Sequence, residues 1–158
     1  MTGEKKFYLT KDGLKRIKKE YEELKELRLL KSKEKFPEIL QSEDLNPEYL
    51  SFQEYLSFLE IRISELENIL KNAELIKPPI KEKQNTINLG ATVLVEVDGQ
   101  IDEFTIVGSL EVNPSLGKIS NESPVGKALL GHKTRDEINI SSPVNITYKI
   151  KKIKYSPF

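Results

Sequence analysis

The residues best placed to do chemistry are the acidic side chains of Gln41-Ser42-Glu43-Asp44-Leu45-Asn46-Pro47-Glu48, which fall between two long helical patterns. Carboxylates at the far end of a stiff rod can be delivered into a place that the rest of a protein cannot enter. A plainer reading stands beside this one. Asn46 suits a helix N-cap, Pro47 the first helical position and Glu48 the positive dipole end, while Glu43-Asp44 is an ordinary polar turn.

The elements that would carry this segment are legible as heptads. Tyr49, Phe52, Leu56, Leu59, Ile63, Leu66, Leu70 and Ala73 follow one another at alternating spacings of three and four residues, a coiled-coil seam. Leu14, Ile17, Tyr21, Leu24 and Leu27 form a matching stripe, after which the pattern loosens through Leu30, Phe36, Ile39 and Leu40. The two stripes cover each other only if the chain folds back antiparallel near Asp44. We therefore expect a helical hairpin over roughly residues 12–75 with helices of roughly 28 residues, about 40 Å long at 1.5 Å per residue. Pairing within one chain needs no second copy, so a monomer is expected.

Composition sets wider limits. The chain has 158 residues, of which 32% are charged and 37% hydrophobic, enough for one ordinary domain or two small ones. Without cysteine there is neither a disulfide framework nor a thiolate metal site, and the single histidine, His132, cannot build a His-based metal site or a standard triad. No apolar run approaches the ~20 residues of a membrane span and no signal-peptide pattern opens the sequence, so a cytoplasmic protein with no membrane partner is expected. The formal net charge is zero but unevenly distributed. Met1 to Phe36 holds twelve Lys/Arg against seven Asp/Glu, and Pro37 to Leu75 two against nine. One end of the hairpin reads as basic, its tip and return helix as acidic.

After the hairpin, Lys77-Pro78-Pro79 stops the helix and a charged stretch to about residue 86 reads as a linker. The texture then changes. Ala91 to Val97 and Ile101 to Val107 alternate as strands around an Asp98-Gly99 hairpin signal, and Ile138 to Ile140 and Ile146 to Ile153 add more. Ser123 to Leu130 reads as a short helix with Ser123 as cap and Pro124 at its first position. The fold class is α+β: a coiled-coil hairpin over 1–76, a linker over 77–86, and a small antiparallel sheet with one helix over 87–158.

These residues carry a resemblance. Phe104-Thr-Ile-Val-Gly108, Ile119-Ser120, Ser123-Pro-Val-Gly-Lys-Ala-Leu-Leu-Gly131 and Ile150-Lys-Lys-Ile-Lys-Tyr155 are similar to the most distinctive pattern of the GreA/GreB family of bacterial transcript-cleavage factors. Tyr8-Leu-Thr-Lys-Asp-Gly-Leu14 and Asn72-Ala-Glu-Leu-Ile76 fit as well. The resemblance implies a coiled coil that enters the secondary channel of RNA polymerase and an FKBP-like C-terminal domain that grips the enzyme outside. It further implies two acidic tip residues holding the polymerase's second catalytic Mg2+ while the 3′ end of a backtracked transcript is hydrolysed. Such a factor is no enzyme by itself. Its docking residues would be Ser123, Pro124, Val125 and Gly126, and its nucleic-acid-binding patch Lys15, Arg16, Lys18 and Lys19, near Lys25 and Arg28, which could touch nascent RNA. For any one of these lysines a solvated helix face is the plainer reading. Prolyl isomerase activity does not follow from an FKBP-like fold alone, and few aromatics are present to line a proline pocket.

At the tip the sequence departs from the family. The family pattern is Gly-Asp-Leu-x-Glu-Asn-Ala-Glu-Tyr, whereas this chain has Glu43-Asp44-Leu45-Asn46-Pro47-Glu48-Tyr49. Asp44 matches the first acidic residue. The second metal-holding glutamate has no counterpart, because two residues are missing, and Glu43 or Glu48 would have to replace it. Mg2+ is typically held by one or two carboxylates together with water and phosphate, which sets the metal-assisted reading against one in which the factor only occupies the channel.

Overall fold

The computed structural model describes residues 5–33, 47–141 and 144–156. Its contacts divide the chain into two compact units, Leu14–Asn72 and a second made of Met1–Gly13 together with Ala73–Phe158. Among the described residues, no helix is long and apolar enough to cross a membrane.

The first unit is helical. Helix α1 spans Lys11–Ser32 and α2 spans Pro47–Lys71. Helix α2 starts where Pro47 is expected to start it; the turn near Asp44 lies outside the described residues. Cross-helix pairs give the direction. Tyr21 donates its hydroxyl hydrogen to Glu67 at 3.0 Å, and Arg28 meets Glu60 at 3.4 Å. Seven residues forward on α1 correspond to seven backward on α2, which is an antiparallel pair. Arg62 adds a two-toothed bond to Glu20, at 2.7 and 3.0 Å. Half-exposed pairs of this kind contribute at most about 1 kcal/mol each, so they set register more than stability. Stability comes from the seam, where Leu59, Ile63, Leu66 and Ile69 of α2 are buried and the α1 stripe is largely half-buried, at Leu14, Ile17, Tyr21, Leu24 and Leu27. One position differs from the heptad reading. Ile69 is buried and Leu70 only half-buried, because 3.6 residues per turn drifts away from a strict seven-residue repeat.

In the second unit, strands β3 (Ala91–Val97), β4 (Gln100–Val107), β5 (Lys118–Ser120), β6 (Glu137–Ile140) and β7 (Ile146–Tyr155) form one sheet in the order β5-β4-β3-β7-β6. Asp98 and Gly99 turn β3 into β4 with φ of 50° and 77°, the left-handed pair that a two-residue hairpin needs. The sheet is mixed rather than antiparallel throughout, since β5 runs parallel to β4 with Thr105 opposite Lys118. Two 3-10 turns, Ser109–Glu111 and Pro114–Leu116, carry the chain between those strands. Helix α3, Pro124–Leu129, packs on this sheet through Leu129, and the core gathers Ile87, Val93, Val95, Ile106, Leu129 and Ile150.

Two features change the expected division of the chain. Strands β1 (Phe7–Leu9) and β2 (Ala73–Leu75) pair in parallel, Phe7 opposite Ala73, so both ends of the expected hairpin segment belong to the sheet unit. The later part of the expected linker is also packed in. Ile87 is fully buried, its N–H donates to His132 O at 2.9 Å, and Tyr155 donates its hydroxyl hydrogen to Thr86 O at 2.6 Å.

Candidate functional site

Of the acidic candidates, Asp44 and Glu43 lie outside the described residues. Glu48 is exposed in the first turn of α2, where its charge also favours the helix dipole. Among the described residues no three His, Cys, Asp or Glu side chains come together as a metal site.

The docking candidates come together at the start of α3. Ser123 has extended backbone, accepts a hydrogen bond from Gly126 N–H at 3.0 Å and donates its hydroxyl hydrogen to Ser120 O at 2.6 Å. That cap fixes the helix start against β5. Pro124 is exposed, Ser123 and Val125 are half-buried, and Gly126 is buried. Close packing demands the glycine, since a Cβ on Gly126 would stand 2.0 Å from Ser120 O. Of the four expected contact residues, Pro124 presents the open surface and Gly126 lets it sit where it does. Glu122, the residue before the cap, pairs with Lys5 at 3.7 Å.

The basic candidates Lys15, Arg16, Lys18 and Lys19 lie along the first half of α1, and Lys19 is 3.9 Å from Glu23. Lys15, Arg16, Lys18 and Lys19 are all exposed. Lys25 is engaged by Glu22 at 3.7 Å and stands 4.5 Å above the Tyr21 ring, while Arg28 is held by Glu60. The four candidates Lys15, Arg16, Lys18 and Lys19 thus lie on the exposed first turns of α1, and Lys25 and Arg28 further along it. His132 faces Asp136 at 3.2 Å. The Lys133 N–H bond, and after it His132, hold the Asp136 carboxyl below its ordinary range. This pair belongs to the turn before β6 and joins none of the other candidates.

One constellation had no signal in the sequence. Glu111, in the turn after β4, is 7% exposed and accepts hydrogen bonds from the Thr10 N–H at 2.8 Å and the Thr10 hydroxyl at 2.5 Å. Thr10 in turn caps α1, accepting from Gly13 N–H at 3.1 Å. A threonine three residues before a glycine at a helix start suggests a cap, but nothing local points to a carboxylate 101 residues away.

Comparison with known proteins follows this geometry. Residues 7–75 match the family model described as transcription elongation factor, N-terminal, and residues 82–155 the model described as transcription elongation factor, GreA/GreB, C-term. The chain is 42% identical over 160 residues to transcription elongation factor GreA of Clostridium acetobutylicum, covering 98% of this chain and 100% of that one. It is 39% identical over 137 residues to GreA of Thermomicrobium roseum, covering 85% and 88%. Among solved structures, the crystal structure of GreA factor homolog 1 of Thermus thermophilus is 26% identical, with 95% and 99% covered and a TM-score of 0.42.

Proposed function

The chain belongs to the GreA/GreB family of transcription elongation factors, and on that premise we propose that it binds RNA polymerase in the cytoplasm and brings the carboxylates of its 43–48 segment to the polymerase's catalytic centre. There it assists hydrolysis of the 3′ end of a backtracked transcript by the polymerase's own activity, without being an enzyme alone. The observation that supports this reading best is the hairpin's charge pattern. A buried apolar seam holds two antiparallel helices together, and the segment from Pro37 to Leu75 carries nine acids against two bases.

Asp44 is the principal ligand in this proposal, with Glu43 or Glu48 as its second carboxylate. When bound, Mg2+ in such a site activates water or stabilises the leaving oxygen. Two carboxylates suffice because phosphate and water supply the remaining oxygens. The exposed start of α3 at Ser123 and Pro124 supplies the docking contact, and Lys15, Arg16, Lys18 and Lys19 face nascent RNA. The factor works as a monomer, since its seam is closed within one chain.

The test is transcript cleavage in stalled elongation complexes. Asp44→Asn removes a hard anionic ligand at nearly constant shape and is expected to abolish cleavage while polymerase binding persists. Glu43→Gln and Glu48→Gln then identify the second carboxylate. A second reading has its own support in the two residues missing before Asn46: the factor occupies the channel and slows the polymerase without cleavage. Wild-type protein that binds, slows elongation and yields no shortened transcript at high Mg2+ would establish that reading and overturn the first.

A further inference from the structure

The outer face of the five-stranded sheet is more basic than strict alternation of its strands would make it. Along β7, Tyr148 and Ile150 are buried towards the core, and Lys149 points the other way. Strict alternation would then turn Lys152 and Lys154 inward with Ile150. They stay out because the ladder with β3 slips by one residue, Val95 standing opposite Ile150 and Leu94 opposite Lys152. Lys151 is the extra residue. The bulge leaves Lys149, Lys151, Lys152 and Lys154 all exposed, with Ile153 half-buried against the core. At about 3.3 Å per residue the row runs about 16 Å along the strand.

Arg135 extends this row. Its N–H donates to Ile150 O at 2.8 Å, and the Ile150 N–H returns a bond to Asp136 O at 2.9 Å, which stitches the turn before β6 to β7. An open cleft of about 650 Å³ lies there, lined by Thr134, Arg135, Glu137, Lys149, Ile150 and Lys151. Three carboxylates share the face. Glu96 pairs with Lys151 at 2.8 Å, Glu103 with Lys154 at 3.7 Å, and Glu137 stands opposite Lys149 in the β6–β7 register. Among the described residues Arg135 and Lys152 form no ion pair. Five cations thus face three acids, and charges more than about 8 Å away are largely screened at physiological salt.

The composition of the face selects its partner. The exposed residues of β6 and β7 are Glu137, Asn139, Thr147 and the four lysines, without the aromatic or aliphatic anchor that centres a protein interface. Phe104, Tyr148 and Tyr155 pack on the core, so β3, β4, β6 and β7 offer no ring on which unpaired bases could stack. What remains is cations and polar donors, the chemistry of phosphate-backbone contact. We propose that the outer face of β7, together with Arg135, is a sequence-independent binding site for the phosphate backbone of double-stranded DNA. The site is independent of the carboxylates invoked for transcript cleavage. Lys151 and Lys154 are already engaged by Glu96 and Glu103, so the principal phosphate contacts fall to Arg135, Lys149 and Lys152.

The experiment measures binding of the full chain to a short, fluorescein-labelled duplex of mixed sequence by anisotropy. With three principal contacts, log affinity against log salt has a slope of about −2.7, so affinity falls about 40-fold between about 50 and 200 mM salt. The combined variant Arg135→Gln/Lys149→Gln/Lys152→Gln leaves the Lys151 and Lys154 pairs in place. It is expected to weaken binding at least tenfold at about 50 mM salt and to flatten the slope to less than about 1 in magnitude. Its Tm stays within about 3 °C of wild type, as for other exposed substitutions. Lys127→Gln, which removes a charge from α3 on the sheet's opposite face, is expected to change neither quantity. Wild type that shows no salt-dependent binding overturns the proposal, and so does a combined variant that binds like wild type. Tighter binding of a single strand of the same sequence overturns the duplex assignment. A combined variant that keeps its duplex affinity but binds polymerase less well assigns the face to an acidic protein surface and equally overturns it. Should the combined variant fail to fold, Lys152→Gln alone is expected to flatten the slope by about 0.9; an unchanged slope refutes the site.

Discussion

Removing one oxygen, by Tyr155→Phe, unties residues 86–88 from β7. The Tyr155 hydroxyl donates to Thr86 O at 2.6 Å and accepts from Asn88 N–H at 2.8 Å, so the change strips partners from one carbonyl and one amide at once. An unsatisfied group costs about 1–3 kcal/mol when fully buried. Here Asn88 is exposed, and water recovers part of that, leaving about 1 kcal/mol. For a unit of about 100 residues, unfolding entropy near 0.21 kcal/mol/K turns this into a fall in Tm of about 5 °C. The pH dependence gives an independent check. Burial pushes the Tyr155 phenol above its ordinary value and outweighs the Asn88 N–H bond, which pulls it down. The fold thus favours the protonated phenol. Its contribution is fully present below the unfolded pKa of about 10 and is lost as pH rises through the higher folded value. The Phe variant has no such proton. Thermal unfolding of both proteins from about pH 7 to pH 11 should show the gap narrow above about pH 10. Equal Tm values at neutral pH, or a gap that stays constant into the alkaline range, would refute the reasoning.

Two further outcomes are expected. Leu66→Ala empties a fully buried seam position and should cost about 2–5 kcal/mol, seen as loss of helical circular dichroism at a lower temperature while the sheet unit keeps its near-ultraviolet signal. Pro124→Asp places a charge on the exposed start of α3; it should leave Tm almost unchanged and reduce co-purification with polymerase, an unpaired interface charge costing about 3 kcal/mol.

The long periodic elements were legible because one physical rule governs each. The 3-4 spacing of α2 requires a buried stripe, Asp98-Gly99 supplies the positive φ of a two-residue turn, and Ser123-Pro124 caps and starts a helix. Ile69 escaped because a heptad template and a 3.6-residue helix diverge over several turns. The paired strands β1 and β2 escaped for another reason: each has three residues, too few for alternation to register, and they find each other across the whole hairpin. The β4–β5 pair is similar, since Lys118–Ser120 has no pattern of its own and takes its direction from the turns that precede it. Among site residues, the cap at Ser123 could be read locally. Glu111 could not, because its contact with Thr10 spans most of the chain. Pro124 followed from the cap, but the burial of Gly126 became visible only with Ser120 packed beneath it.

The pairing of β1 with β2, and of Thr10 with Glu111, also constrains the order in which the chain assembles. Thr10 and Glu111 are separated by 101 residues, so during synthesis at about 5–20 residues per second the carboxylate emerges about 5–20 s after the threonine. Helix formation and local pairing take microseconds to milliseconds, so the hairpin is complete long before the turn that holds Thr10 exists. A folded hairpin also shortens the effective loop that the β1–β2 pair must close, lowering its closure entropy. The earliest segment to be made is therefore among the last to dock. Refolding should accordingly end in a phase that Gly108 and Glu111 substitutions retard, with little change in the earlier phase that forms the helices.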